Sequence, residues 1–322
     1  MTNPQKTMIS IVIPCYRVKD HILEVLKGIG PEVGKIYLVD DACPENSGQY
    51  VMDSFSDPRL DVIFHRKNLG VGGAVKTGYR KALKDGATII VKLDGDGQMN
   101  PQLINKLVDP IVKKQADYVK GNRFYDLDNL LKMPGLRRFG NALLSFASKM
   151  VSGYWNVMDP TNGFTAISSA ALKNLPLEKL DDGFFFEQDL LFRLNTIRAV
   201  VTDLPMIAHY GKEKSNLKIR KVLFTFPFKY LNRLFKRIFY SYFLRDFNVG
   251  SLELILAFLF MGFGIVFGTI KWAQSISTGL PATAGTVILA GLPVILGFQA
   301  FLSFLHFDLT NIPGKPLSGF ED

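Results

Sequence analysis

Two carboxylates, Asp94 and Asp96, alternate with Gly95 and Gly97 and precede Gln98 in the stretch KLDGDGQMNP (92–101), directly behind the apolar run ATIIV at 87–91. Oxygen-bearing side chains at alternate positions suit a hard divalent cation, Mg2+ or Mn2+, and the glycines let the backbone turn tightly between them. The reading therefore takes Asp94, Asp96 and Gln98 as metal ligands, with two carboxylates leaving coordination positions for substrate oxygens. An EF-hand loop begins in the same way, but its sixth position would be Met99 and its twelfth Asn105, so a calcium loop of that kind is excluded. A lone DxD also fits a solvated acidic turn. Its place behind a strand favours the metal.

Other residues able to do chemistry follow apolar runs elsewhere. PCY (14–16) holds Pro14 and Tyr16, and VDDA (39–42) holds Asp40 and Asp41, which could accept hydrogen bonds from a nucleobase or ribose or else cap a helix. NLGVGGA (68–74), with Asn68 and Gly72, opens a helix with a glycine-rich turn whose N–H groups favour phosphate. It is not a Walker loop, because no Gly-Lys-Ser/Thr follows. Cations suited to a second phosphate are Arg123 in GNR, Arg137 and Arg138 in LRRFGN, and Lys212 and Lys214 in GKEKSN, with Arg better matched to bidentate binding. Among the carboxylates, Glu187 follows three phenylalanines in FFFEQDLL, and a partly buried acid there is a candidate to bind substrate hydroxyls or act as a base. Asp189 in the same stretch reads equally as a helix-surface charge, and Asp159 in DPTNGF as a turn-former before Pro160.

These residues need elements to position them. The runs at 8–13, 35–39, 60–64, 87–91 and 117–121 read as strands, and the amphipathic stretches at 18–28, 45–55, 71–84 and 101–114 as helices. Such alternation predicts an α/β fold, a mainly parallel sheet covered by helices on both faces, with ligands bound beyond the carboxyl ends of the strands. PCY, DDA, NLGVGGA and DGDGQ all fall there.

The remainder of the chain has a different character. No residue is charged from Leu254 to Ile270, and between Trp272 and Phe307 there is no Asp, Glu, Lys or Arg; GLP at 279–281 marks a turn. Helices over 250–270 and 283–306 would each cross a bilayer core of about 30 Å. The net charge is +9, and residues 211–245 supply that excess, with ten Lys/Arg against Glu213. These cations are interleaved with Phe and Tyr, as in a helix lying among lipid headgroups. Because they precede the first span, the positive-inside rule places residues 1–247 and the tail in the cytosol. The expected organisation is a cytosolic catalytic domain at 1–210, basic-aromatic interfacial helices at 211–247, two transmembrane helices within 248–307 and a cytosolic tail at 308–322. MISIVI is too short for a signal-peptide core, and the two cysteines, Cys15 and Cys43, form neither a disulfide framework nor a zinc pattern, so a reducing compartment is expected.

The order IVIPCY, VDDA, NLGVGGA, DGDGQ, GNR, DPTNGF, FFFEQDLL and HYGKEKSNLKI, followed by a two-helix hairpin, resembles the family-two GT-A glycosyltransferases. Within them it is most similar to the polyprenyl-phosphate glycosyltransferases, the dolichyl-phosphate mannose synthase and bacterial polyprenyl-phosphate glucosyltransferase group. The resemblance implies a Rossmann-like GT-A domain that transfers a hexose, with inversion, from a nucleotide sugar to polyprenyl phosphate. It implies nucleotide-binding roles for Pro14, Tyr16 and Asp41, a metal and diphosphate site at Asp94, Asp96 and Gln98, and acceptor-phosphate roles for Arg123 and Lys214, with Arg138 beside them. Asp159 falls in its catalytic or acceptor-side region. The first loop departs from the family's Tyr-Asn-Glu, reading Tyr16-Arg17-Val18 here.

The chemistry agrees with this inventory. Breaking a sugar–phosphate bond puts charge on the departing diphosphate, which a divalent cation can neutralise. An acceptor phosphate is already ionised and needs cations more than a strong base. Glucose from UDP-glucose is the first expectation, through the two-helix hairpin, and mannose from GDP-mannose the second. A processive polysaccharide synthase is disfavoured because its Gln-x-x-Arg-Trp motif is absent, the only tryptophans being Trp155 and Trp272. A catalytically silent nucleotide-binding scaffold has less need of DGDGQ. Nucleic acid is not expected as a partner, because the basic segment runs straight into a membrane span; a homo-oligomer is admitted.

Overall fold

The structure is a computed structural model that describes residues 7–125, 135–206 and 219–320. The chain divides into two compact units, Met1–Leu234 with Pro313–Asp322, and Phe235–Ile312.

In the first unit, strands β1 (Ile9–Cys15), β2 (Val33–Asp40), β3 (Leu60–Phe64), β4 (Ile89–Lys92), β5 (Tyr118–Asn122), β6 (Thr165–Ser168) and β7 (Val201–Pro205) form one sheet in the order β3-β2-β1-β4-β6-β5-β7 among the described residues. All neighbours are parallel except β6, which runs antiparallel to both β4 and β5. The mainly parallel sheet expected from the alternation is present. β6 and β7, missing from the sequence reading, are short and half polar (TAIS, VTDLP).

Helices α1 (Ile22–Lys27), α2 (Ser47–Ser54) and α4 (Ile104–Val112) cover one face, over a core that includes Ile11, Ile13, Leu38, Val91 and Val119. The opposite face carries α3 (Val71–Lys84), which crosses β1 so closely that a Cβ on Gly78 would collide with Val12. Helices α5 (Gly135–Ser152), α6 (Ser169–Lys173) and α7 (Phe186–Thr196) follow, and then α8 (Ile219–Phe239), whose residues up to Leu234 belong to this unit. The buried carboxylate of Asp117 accepts the backbone N–H of Leu317, tying the C-terminal segment to the start of β5.

The second unit is a helical hairpin, α9 (Val249–Thr278) and α10 (Ala284–Thr310), both long and apolar enough to cross a membrane. α9 outlasts the expected span because Lys271 does not stop it; it begins at an Asn248–Ser251 capping box and ends at Gly279, where φ is 66°. The helices meet at small residues. A Cβ on Gly264 would lie 2.7 Å from the Ala290 carbonyl oxygen, and one on Gly297 2.7 Å from the Met261 nitrogen. In the same unit Arg237 is buried and binds Asp308 twice, at 2.6 and 3.0 Å, while the Tyr242 hydroxyl donates to the same carboxylate at 2.6 Å.

Candidate active site at the carboxyl edge of the sheet

Because β6 runs antiparallel, its leading turn, Asn162-Gly163, lies on the edge where β4 and β5 end. The register pairs Thr165 with Lys92 on one side and with Lys120 on the other. Residues paired across strands share a face, so both lysines stand on the α3 and α7 side.

Lys92 is almost fully buried. Its Nζ lies 2.8 Å from Asp94 Oδ1 and 3.0 Å from Glu187 Oε1, and donates to the Gly163 carbonyl at 3.3 Å. Burial opposes the ammonium, but the charges of Asp94 and Glu187 outweigh it and raise the Lys92 pKa. A Cβ on Gly163 would collide with Asp94 Oδ2 and Lys92 Nζ, which explains a glycine there. Asp94 and Asp96 are half-buried, and Asp96 Oδ1 accepts the Gln98 N–H at 3.1 Å, shaping the turn. The donors are all oxygens, as a hard cation requires. Among the described residues no group of three His, Cys, Asp or Glu converges. The Asp94–Asp96 turn with Gln98 thus fits a metal completed by substrate oxygens.

On the far side of β6, Arg123 and Asp159 form a bidentate pair, with Nε 2.7 Å from Oδ2 and Nη2 3.0 Å from Oδ1. Nη2 also donates to Thr161 Oγ1 at 3.1 Å. Burial alone would raise the Asp159 carboxyl, but the hydrogen bonds and charge of Arg123, with Lys120 behind, hold it below the usual carboxylate value. Asp159 is wholly buried against Arg123, an arrangement that suits the positioning role among those its region allows. Lys120 donates to the Asn162 carbonyl, and burial pushes its pKa down to about 8 against the pull of Glu187 and Asp159. Asp203, on β7, accepts the Met158 N–H at 2.7 Å, and burial pushes its carboxyl up to about 6.

Three successive side chains at the start of α7 point to three partners. Glu187 meets Lys92, Gln188 bonds Ser148 and the Pro160 carbonyl, and Asp189 binds Arg233 at 2.6 Å and the Asp181 N–H at 2.9 Å. Asp189 is therefore a buried ion-pair partner and not a surface charge. Lys229 likewise pairs with Asp181. Arg233 and Arg237 thus bind protein carboxylates, which corrects the expectation that they face lipid headgroups.

The nucleotide-side residues divide. Pro14 and Tyr16 are half-buried at the end of β1. Asp40 is buried and accepts the N–H groups of Cys43 and Gly48, both at 2.7 Å, so it builds the loop instead of offering a free carboxylate. Asp41 accepts Leu69 N–H at 2.8 Å and Gly70 N–H at 2.7 Å and lies 2.7 Å from His65 Nδ1, tying β2 to the glycine turn. Asn68 is exposed and its side chain accepts the Gly70 N–H at 3.1 Å. Gly72 is packed beneath the turn at 181–186, where a Cβ would collide with the Asp181 carbonyl, so the packing there demands a glycine. Arg138 is exposed on α5, and Lys214 lies outside the described residues.

Sequence reasoning missed Lys92, Lys120, Gln188 and Asp203. The signal for the lysines was their presence inside apolar strands, where an ammonium survives only with partners.

The doubly covered sheet, its single reversed strand and the DxD turn at its carboxyl edge define the GT-A class of glycosyltransferases. Residues 10–175 match the profile of Glycosyl transferase family 2, and the chain belongs to that family. The resemblance read from its motifs is borne out. The chain is 32% identical over 182 residues to the UDP-N-acetylglucosamine–dolichyl-phosphate N-acetylglucosaminyltransferase of Methanococcus voltae, covering 52% of this chain and 72% of that one. It is 26% identical to the undecaprenyl-phosphate mannosyltransferase of Micrococcus luteus, covering 61% and 81%. Among solved structures, glucosyl-3-phosphoglycerate synthase from Mycobacterium tuberculosis in complex with Mn2+, UDP and phosphoglyceric acid superposes with a TM-score of 0.53 at 18% identity, over 72% of this chain and 78% of that one, a likeness of fold.

Proposed function

We propose that this protein transfers a hexose-class sugar, with inversion, from a nucleotide sugar to polyprenyl phosphate at the cytosolic face of a membrane. The observation that carries the reading is the convergence of Asp94, Glu187 and the Arg123–Asp159 pair around the Asn162-Gly163 turn, in a chain that also has an apolar hairpin. Relatives named for dolichyl-phosphate and undecaprenyl-phosphate transfer support the acceptor class.

Asp94 and Asp96, with Gln98, would hold Mg2+ or Mn2+, which supplies neutralisation of the departing diphosphate when bound. The half-buried Pro14 and Tyr16 face the nucleoside from the end of β1. Arg123, held flat by Asp159, supplies a guanidinium charge of fixed orientation to the acceptor phosphate. That phosphate is itself the nucleophile and carries no proton that must be removed, so Glu187, already paired with Lys92, serves to orient sugar hydroxyls.

Glucose from UDP-glucose and mannose from GDP-mannose remain the donors read from the sequence, and the archaeal relative's name adds UDP-N-acetylglucosamine. The deciding assay uses detergent-purified protein, polyprenyl phosphate, Mn2+ or Mg2+ and these three radiolabelled donors. The expected product is lipid-soluble label with one donor preferred. Transfer only to a soluble acceptor such as phosphoglycerate, or to none, would overturn the reading.

A further inference from the structure

Lys92 has no place in the chemistry above, yet it occupies the centre of the site. Its ammonium lies 2.8 Å from Asp94 Oδ1 and 3.0 Å from Glu187 Oε1, on a side chain only 2% exposed. Among the described residues it also donates to the Gly163 carbonyl, at 3.3 Å. Solvent screening is weak there, so the charge acts at nearly full strength on both carboxylates. It holds together two acids that would otherwise repel, one on the DxD turn and one on α7.

The same charge opposes any second cation at Asp94. A divalent ion would meet a carboxylate already half neutralised, beside a fixed positive charge that cannot leave its pocket without losing three contacts. A nucleotide diphosphate reverses the balance by bringing negative oxygens to the same turn. Electrostatics therefore makes cation and diphosphate favour each other's binding, a coupling that is reciprocal.

We infer that Lys92 is a positioning residue that substitutes for the divalent cation in the resting site, spacing Asp94 and Glu187 and making metal uptake depend on the nucleotide diphosphate. This rests on the reading of Asp94 as a metal ligand. A resting enzyme of this kind keeps its acidic turn ordered without trapping metal, and it assembles the diphosphate-neutralising charge only when a donor is present.

The test is Mn2+ binding to the full-length, detergent-purified protein, followed by electron paramagnetic resonance with and without UDP or GDP. Wild type should bind Mn2+ weakly alone and more tightly with the preferred nucleotide. Lys92→Met should bind Mn2+ alone about tenfold more tightly, with the nucleotide effect shrinking by a similar factor. Lys92→Arg, which keeps the charge, should stay close to wild type. A lysine needed only for packing predicts the opposite, since a loosened Asp94 binds metal less well. Unchanged or weaker Mn2+ binding by Lys92→Met overturns the inference. If that variant does not fold, Lys92→Met with Glu187→Gln removes the unbalanced buried acid and carries the same test. Failure of wild type to bind Mn2+ even with nucleotide would sink the metal reading of Asp94 itself, a result distinct from normal binding that is insensitive to Lys92.

Discussion

Arg123 and Asp159 are joined edge to edge, Nε to Oδ2 at 2.7 Å and Nη2 to Oδ1 at 3.0 Å, with the carboxylate fully buried and the guanidinium partly exposed. Such a pair fixes the plane of the arginine. Asp159→Asn cannot reproduce both charged contacts, and removing one partner of a buried pair costs about 3 kcal/mol. The expected outcome is a lower unfolding midpoint together with a raised KM for polyprenyl phosphate, while donor KM changes little. Wild-type acceptor KM in this variant would remove Arg123 from the phosphate site.

Asp96→Asn keeps the shape of the DxD turn, because the Asn side-chain oxygen can still accept the Gln98 N–H that Asp96 Oδ1 accepts at 3.1 Å. It removes one of two charges proposed for the metal. Transfer should fall at least about a hundredfold at limiting Mn2+, within the range for losing one electrostatic stabiliser of a leaving group, and thermal stability should stay near wild type. Full activity at limiting metal would show that Asp96 is no ligand.

What was legible in the sequence has a physical pattern. Strands such as ISIVIPC announce themselves because burial on both faces demands an unbroken apolar run, and DGDGQ stands out by chemistry that no fold requires. Lys92 escapes notice because the apolar run ATIIV ends at Val91, whereas β4 continues one residue further. Arg233 and Arg237 were read by composition as part of a basic belt. Their partners lie 44 and 71 residues away, and charge counted along a segment carries no trace of that. Asp40 shows the same limit, since nothing local says whether an acid at a strand end meets a ligand or its own loop.

Two carboxylates near the site should shape the pH dependence with opposite signs. Asp203 is shifted up to about 6 by burial, so its protonated form favours the fold, and that contribution is lost as pH rises through 6. Asp159 is held below the usual carboxylate value, so its contribution is present above the ordinary carboxylate range and lost as pH falls through its folded pKa. Asp203→Asn should therefore raise stability at pH 7 by about 2 kcal/mol and flatten the stability profile between about pH 4 and 6. Denaturant titrations across that range give the answer. An unchanged profile would mean that Asp203 ionises freely in the folded protein.

Topology can be read with thiol labels, because the native Cys15 and Cys43 are both buried and should stay silent. Ser277 lies near the end of α9 and Lys315 is exposed in the segment after α10. If α9 and α10 each cross the bilayer, Ser277→Cys and Lys315→Cys will react with an impermeant maleimide from opposite sides, and Lys315→Cys from the cytosolic one. Labelling of both from one side would refute the hairpin.

The described part of the basic segment holds cations paired with protein carboxylates, such as Arg233, beside exposed ones, such as Lys236. Arg233 Nε lies 2.6 Å from Asp189, whose carboxylate is fully buried, whereas Lys236 is exposed one turn further along α8. Arg233→Gln would leave Asp189 with Arg193 at 3.4 Å and the Asp181 N–H. Stability should drop by about 3 kcal/mol, and transfer should fall equally with a long polyprenyl phosphate in anionic bilayers and a short, water-soluble prenyl phosphate. Lys236→Gln should spare stability and the short acceptor, weakening only transfer to the long acceptor, because an exposed cation near an anionic leaflet contributes about 1 kcal/mol of attraction. If Arg233→Gln instead behaves like Lys236→Gln, selective for the bilayer acceptor and neutral in stability, then its side chain serves the headgroups and the pairing with Asp189 is dispensable.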